Sequence, residues 1–179
     1  MSLSLGSPAP RFVLPGVDGQ DHALEDYADA AALVLVQSCN HCPYVRAWEG
    51  RLKAIQAGYA ARGVRLVAVN SNDAERYPED SFEEMARRAK REGFTFDYLY
   101  DGTQALARAL GSERTPEVFL FDRERRLGYH GAIDDSRDET SITQHYLRDA
   151  LDAVFEGRSA PVAETPPVGC TVKWLPQPR

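Results

Sequence analysis

Cys39 and Cys42 stand three positions apart, with Asn40 and His41 between them and Pro43-Tyr44 directly after. Two thiols at this spacing can close a disulfide, and a dithiol that opens and closes is a two-electron switch. The attacking form of such a pair is the thiolate, so the chemistry depends on what stabilises the anion. The stretch lies between an apolar run, Ala31 to Val36, that reads as a buried strand, and an amphipathic run from about Val45 to Ala61 that reads as a helix. Free amides and the positive dipole end in a helix's first turn stabilise an anion. On that placement Cys39, at or just before the first turn, is expected to ionise and attack. Cys42, one turn further on, is expected to be the more buried thiol and to resolve. A cationic His41 would add to the stabilisation of the Cys39 thiolate and favour the reduced dithiol. The alternative is a solvent-exposed imidazole whose charge is screened.

A third thiol, Cys170, lies in a tail that Pro161, Pro166 and Pro167 keep extended and that Val168, Val172 and Trp174 give reason to pack back on the domain. It is expected either to reach the pair as a third redox thiol or to be an inert buried cysteine. A CxxC is also half a zinc site, which His41 or Cys170 could complete, but no second CxxC or HxxxH is present in the sequence. Redox chemistry is therefore the first reading, with neither metal nor cofactor expected.

The elements that must position these residues follow from the pattern. Gly6 to Pro10 is extended, Arg11 to Leu14 reads as a short strand, and Asp18-Gly19 as the turn of a hairpin. Ala23 to Ala28 reads as a helical turn. Val64 to Asn70 reads as a central strand, Ser81 to Arg91 as a helix closed by Gly93, and Asp97 to Tyr100 as a strand. A short helix to Leu110, strands at Glu117 to Phe121 and Arg126 to Gly131, and a helix from Ser141 to Phe155 complete the series. Strands separated by helices are expected to run parallel, and the last two, joined by a short turn, antiparallel. Asn70 to Asp73 reads as loop and capping residues, Asp134-Asp135 as a solvated turn, and Arg87 to Arg91 as a helix end facing water. Glu49 is a candidate proton carrier by proximity alone. One domain over residues 1–157 is expected, with the tail, 158–179, packed on it.

The chain has 179 residues, 43% of them hydrophobic, and a formal charge of -6. That length supports one sizeable core. The charge disfavours nucleic acid and anionic membranes as partners. The first residues lack the basic start and apolar centre of a signal peptide, and no apolar run is long enough to span a bilayer, so a cytoplasmic protein is expected.

With the CxxC after the first core strand and Thr115-Pro116 just before the fourth, the chain resembles the thioredoxin fold, in which a cis-proline sits beside the disulfide. The helix and strand inserted between Asn70 and Tyr100, and the opening Gly6-Ser7-Pro8-Ala9-Pro10-Arg11-Phe12 with Asp18-Gly19, resemble its peroxiredoxin and TlpA-like branch. End to end, the chain is similar to bacterial redoxin-domain proteins of the AhpC/TSA type. The likeness runs through Cys39 to Val45, Asn70 to Glu75, Tyr98 to Asp101, Thr115 to Asp122, Asp134-Asp135 and Val168 to Trp174. It implies an α/β thioredoxin-like fold with a central mixed sheet flanked by helices, an N-terminal hairpin and the inserted helix and strand. It also implies that Thr115 and Pro116 shape a docking edge beside Cys39, where a partner's extended segment pairs. Three family residues differ here. Leu33 stands where thioredoxins carry a buried aspartate, Val45 where TlpA-like reductases often carry a glutamate, and Val36 where peroxiredoxins carry the threonine that holds peroxide.

The function expected from all this is thiol-disulfide exchange with protein or small-molecule disulfides and thiols. One alternative is an antioxidant thiol peroxidase acting on hydroperoxides. Another, from a different class, is a non-catalytic module whose CxxC holds a metal.

Overall fold

The computed structural model describes residues 2–177. A hairpin of β1 (Val13–Pro15) and β2 (Asp21–Ala23) precedes β3 (Ala32–Ser38), α1 (Pro43–Tyr59), β4 (Val64–Asn70), α2 (Phe82–Glu92) and β5 (Asp97–Tyr100). Then come α3 (Ala105–Leu110), β6 (Arg114–Thr115), β7 (Glu117–Phe121), β8 (Leu127–Gly131), α4 (Tyr146–Phe155) and β9 (Cys170–Thr171). The central sheet has the order β5-β4-β3-β7-β8.

All seven residues of β3 are buried, because this apolar run is covered on both faces. Alternation divides it. Val34 and Val36 face a core with Trp48, Leu52, Ile55, Met85 and Leu151, which brings α1, α2 and α4 to one side. Leu33 and Leu35 face another with Phe12, Tyr27, Leu106 and Phe119, which puts α3 and the N-terminal segment on the other. The result is the mixed sheet with helices on both faces that the sequence predicts, in a thioredoxin-like α/β arrangement.

Two expectations need correction. β7 runs antiparallel to β3, although a helix separates it from β5. The reason is length: six residues of α3 rise only about 9 Å, too little to return the chain to the far end of the sheet. The last helix begins at Tyr146 rather than Ser141. Asp135 takes the Thr143 amide at 2.8 Å and donates its own amide to Gln144, holding Ile142 to Gln144 outside the helix. The β-branched pair Ile142-Thr143 gives the helix little to set against that.

The strand ends set the site. β3 and β4 are in register to Ser38↔Asn70, and Gln37 pairs with Glu117. Cys39, Ser71 and Pro116 therefore leave the sheet side by side. No described helix is long and apolar enough to cross a membrane.

Candidate active site

Helix α1 starts at Pro43, whose missing N–H costs nothing at a first helical position, and Cys42 is its N-cap residue. Cys39 lies farther out, on the loop that leaves β3. The sequence reading set Cys39 at or just before the first turn and Cys42 a turn beyond it; the helix instead begins one residue after Cys42, so Cys42 does not lie inside it. Nor is Cys42 clearly the more hidden: it is 0% exposed and Cys39 1%. Both are free thiols, as is half-buried Cys170, which packs against the same small cluster with Val45 and Tyr44.

The two sulfurs meet different surroundings. Cys42 is held low, to about 4: the neighbouring Cys39 thiol, Cys170 and the Val45 amide favour its anion and outweigh the opposing effect of burial. Cys39 is pushed far up because it lies against the Cys42 sulfur, is buried, and faces the Asp80 carboxylate. Cys170 rises to about 11, through burial and the neighbouring Cys42 sulfur. The sulfur whose anion these surroundings favour is the one at the helix N-terminus. Acidifying the reduced protein should remove the thiolate ultraviolet absorbance with a midpoint at about 4, with the anion present above that pH and protonated below it. An ordinary thiol titrates near about 8.5. A Cys42→Ser protein should lack the low step.

The Thr115-Pro116 bond is cis, and Thr115 lies against both sulfurs. Its hydroxyl is 3.5 Å from the Cys39 sulfur, and its carbonyl oxygen is 3.3 Å from that of Cys42, which donates to it when protonated. Buried Glu117 holds this edge in place, taking the amides of Glu113 and Arg114 at 2.7 and 2.9 Å and pairing with His130 at 2.5 Å.

His41 is three-quarters covered, not free in solvent. Its Nδ1 is 2.6 Å from buried Asp80, and its ring stacks on Tyr77. Asp80 also accepts the Asn40 amide at 2.7 Å and the Asn72 side chain at 2.8 Å. Tyr98 donates to Asn40 Oδ1 at 2.8 Å. The cysteine loop is thus fixed by the segment after β4, so Asn70 and Asn72 are buried site-building residues as well as loop caps. Asp80, Tyr98 and Glu117 were not singled out from the sequence. Asp80 sits far along the chain from Cys42, in a polar run with no periodic signal, and only the strand register makes them neighbours.

Glu49 plays no part here. It is buried against Arg88 at 2.7 Å, which also removes Arg88 from the expected water-facing helix end. Asp134 is likewise buried, paired with Arg51 and receiving the Trp48 N–H, rather than part of a solvated turn. Cys39, His41 and Asp80 place one donor atom each within 4.8 Å of one another, a geometry that could hold a metal ion. A cleft of about 810 Å³ lined by Leu5, Asp122, Phe155 and Ala163 opens at the opposite end of β3, away from the cysteines.

The model of the redoxin family matches residues 4–147. A crystal structure of an uncharacterized conserved protein from Geobacillus kaustophilus is 44% identical, with a TM-score of 0.92, covering 98% of this chain and 94% of that one. The thiol-disulfide oxidoreductase ResA of Geobacillus thermodenitrificans is 28% identical over 128 residues, 70% of this chain and 68% of that one. The peroxidoxin BcpB of Mycobacterium tuberculosis shares the fold, at 16% identity and a TM-score of 0.59, over 86% of this chain and 92% of that one.

Proposed function

Because the chain belongs to the redoxin family, we propose that it is a thiol-disulfide oxidoreductase in which Cys42 attacks and Cys39 resolves. The observation that carries this reading is the Cys42 sulfur at the α1 N-terminus, 3.3 Å from the Thr115 carbonyl oxygen of the cis Thr115-Pro116 bond. In the forward half-cycle the Cys42 thiolate attacks a disulfide of the partner. A Cys42–partner bond forms, and the partner's other sulfur leaves with the electron pair and takes a proton. Cys39 then gives up its proton and attacks Cys42, and the second partner thiol leaves. The partner disulfide is reduced by two electrons and the dithiol is oxidised by two, with no cofactor.

His41 and Asp80 assist the second half. Deprotonating Cys39 places an anion beside Asp80, and the His41 imidazole, when protonated, offsets that charge. Stabilising the Cys42 thiolate favours the dithiol, so the disulfide form is a better oxidant than a pair of ordinary thiols would give. The likeness to ResA supports the reaction class, and the redoxin match supports the fold that presents it.

The test is turnover of a disulfide substrate against turnover of a hydroperoxide, each with a dithiol donor, on protein assayed for zinc. Disulfide turnover well above hydroperoxide turnover is the expected result. Dominant peroxide turnover would make the chain a thiol peroxidase. Stoichiometric zinc with no exchange would assign Cys39, His41 and Asp80 to a metal centre instead.

A further inference from the structure

The edge beside the cis-proline is already taken. β9 pairs antiparallel with β6, Thr115 opposite Cys170 and Arg114 opposite Thr171. An extended segment carrying a cysteine thus lies where a partner's cysteine would have to lie to meet Cys42, and Cys170 packs on that sulfur. Gly169 permits the fit, because a Cβ there would overlap the Thr115 carbonyl oxygen. Val172, two residues past Cys170, is buried, whereas Val168, two residues before it, is largely exposed. The side chain two positions after the cysteine is therefore the one that the protein grips.

The segment is anchored on both sides of the cysteine. Upstream, the Thr165 amide donates to the His130 carbonyl and its hydroxyl takes the Ala132 amide at 2.8 Å. Downstream, the Lys173 amide donates to Asn72 at 2.9 Å, and its carbonyl accepts from the Asp73 amide and the Gln104 side chain. Cys170 sits between these two anchors.

Resting on the exchange reading above, we propose that Val168–Thr171 is a tethered substrate, and that Cys170 exchanges with Cys42 as a partner's cysteine does. In the oxidised protein the Cys170 thiolate attacks the Cys42 sulfur. A Cys42–Cys170 bond forms, the Cys39–Cys42 bond breaks, and the electron pair leaves on Cys39, which takes the proton Cys170 released. No net oxidation occurs, so no further oxidant is required. The Cys42 anion that opposes Cys170 ionisation in the dithiol is absent once Cys42 is in a disulfide. The same geometry defines the partner: an extended peptide with glycine directly before its cysteine and an aliphatic residue two positions after it, which displaces the segment to react.

The test uses the full chain equilibrated with glutathione disulfide, quenched in acid, alkylated and mapped by mass spectrometry. Both Cys39–Cys42 and Cys42–Cys170 disulfides are expected. Gly169→Val should lower the Cys42–Cys170 fraction and speed alkylation of Cys42, each by about tenfold or more. On that variant, a Val-Gly-Cys-Thr-Val-Lys peptide should form the mixed disulfide about tenfold faster than Val-Val-Cys-Thr-Val-Lys. In Cys170→Ser, which retains the glycine, the Cys39–Cys42 fraction should rise to replace the lost species. Cys39–Cys42 without Cys42–Cys170, and equal rates for the two peptides, would overturn this inference and leave the exchange reading standing. If neither disulfide forms, both fall.

Discussion

With serine in place of Cys42, disulfide turnover falls to background, a loss on the order of 10⁴-fold or more. Serine keeps the shape of the N-cap but removes the sulfur at the helix N-terminus, the one whose anion its surroundings favour. The companion variant behaves differently. Cys39→Ser combined with Cys170→Ser leaves the attacking thiolate and removes both thiols able to resolve, so a disulfide partner accumulates covalently on Cys42. Mass spectrometry of the intact protein reads this directly. A partner trapped in the Cys42→Ser protein and absent from the other would return the attacking role to Cys39.

Asp134→Ala should lower the free energy of unfolding by about 3–5 kcal/mol, read as a drop in the denaturant midpoint at unchanged slope. Asp134 meets Arg51 at 2.8 Å and accepts the Trp48 N–H at 2.7 Å, all three groups being buried. Removing the carboxylate leaves a guanidinium inside the protein with only the Ser136 and Arg137 carbonyls, and an indole N–H without its acceptor. The pair also joins the middle of α1 to the loop after β8, so its loss loosens the helix that carries Cys42. A drop below about 1 kcal/mol would place the ion pair among those that contribute little.

Much of the fold was readable because its signals are local. The apolar runs of β3 and β4 and the spacing of Val45, Trp48, Leu52 and Ile55 on α1 correspond to buried positions. The direction of β7 was not readable by the same means, since it depends on how far α3 carries the chain. The site divides along the same line. Cys39, His41, Cys42 and the Thr115-Pro116 edge stand out as motifs. Asp80, Glu117 and Tyr98 are ordinary residues in sequence and acquire their role only where the strands end together. The position of the two thiols relative to α1 turned on that helix's first residue, a boundary that hydrophobic periodicity locates only to within a few residues.

The anchors at Thr165 and Lys173 carry one more implication. A thiol held over the site at both ends is never dilute with respect to Cys42. Its effective concentration is on the order of millimolar or higher. A free thiol or disulfide at lower concentration competes poorly with it unless it also offers binding surface. Discrimination between small molecules and extended peptides would then follow from local concentration alone, before any difference in intrinsic reactivity.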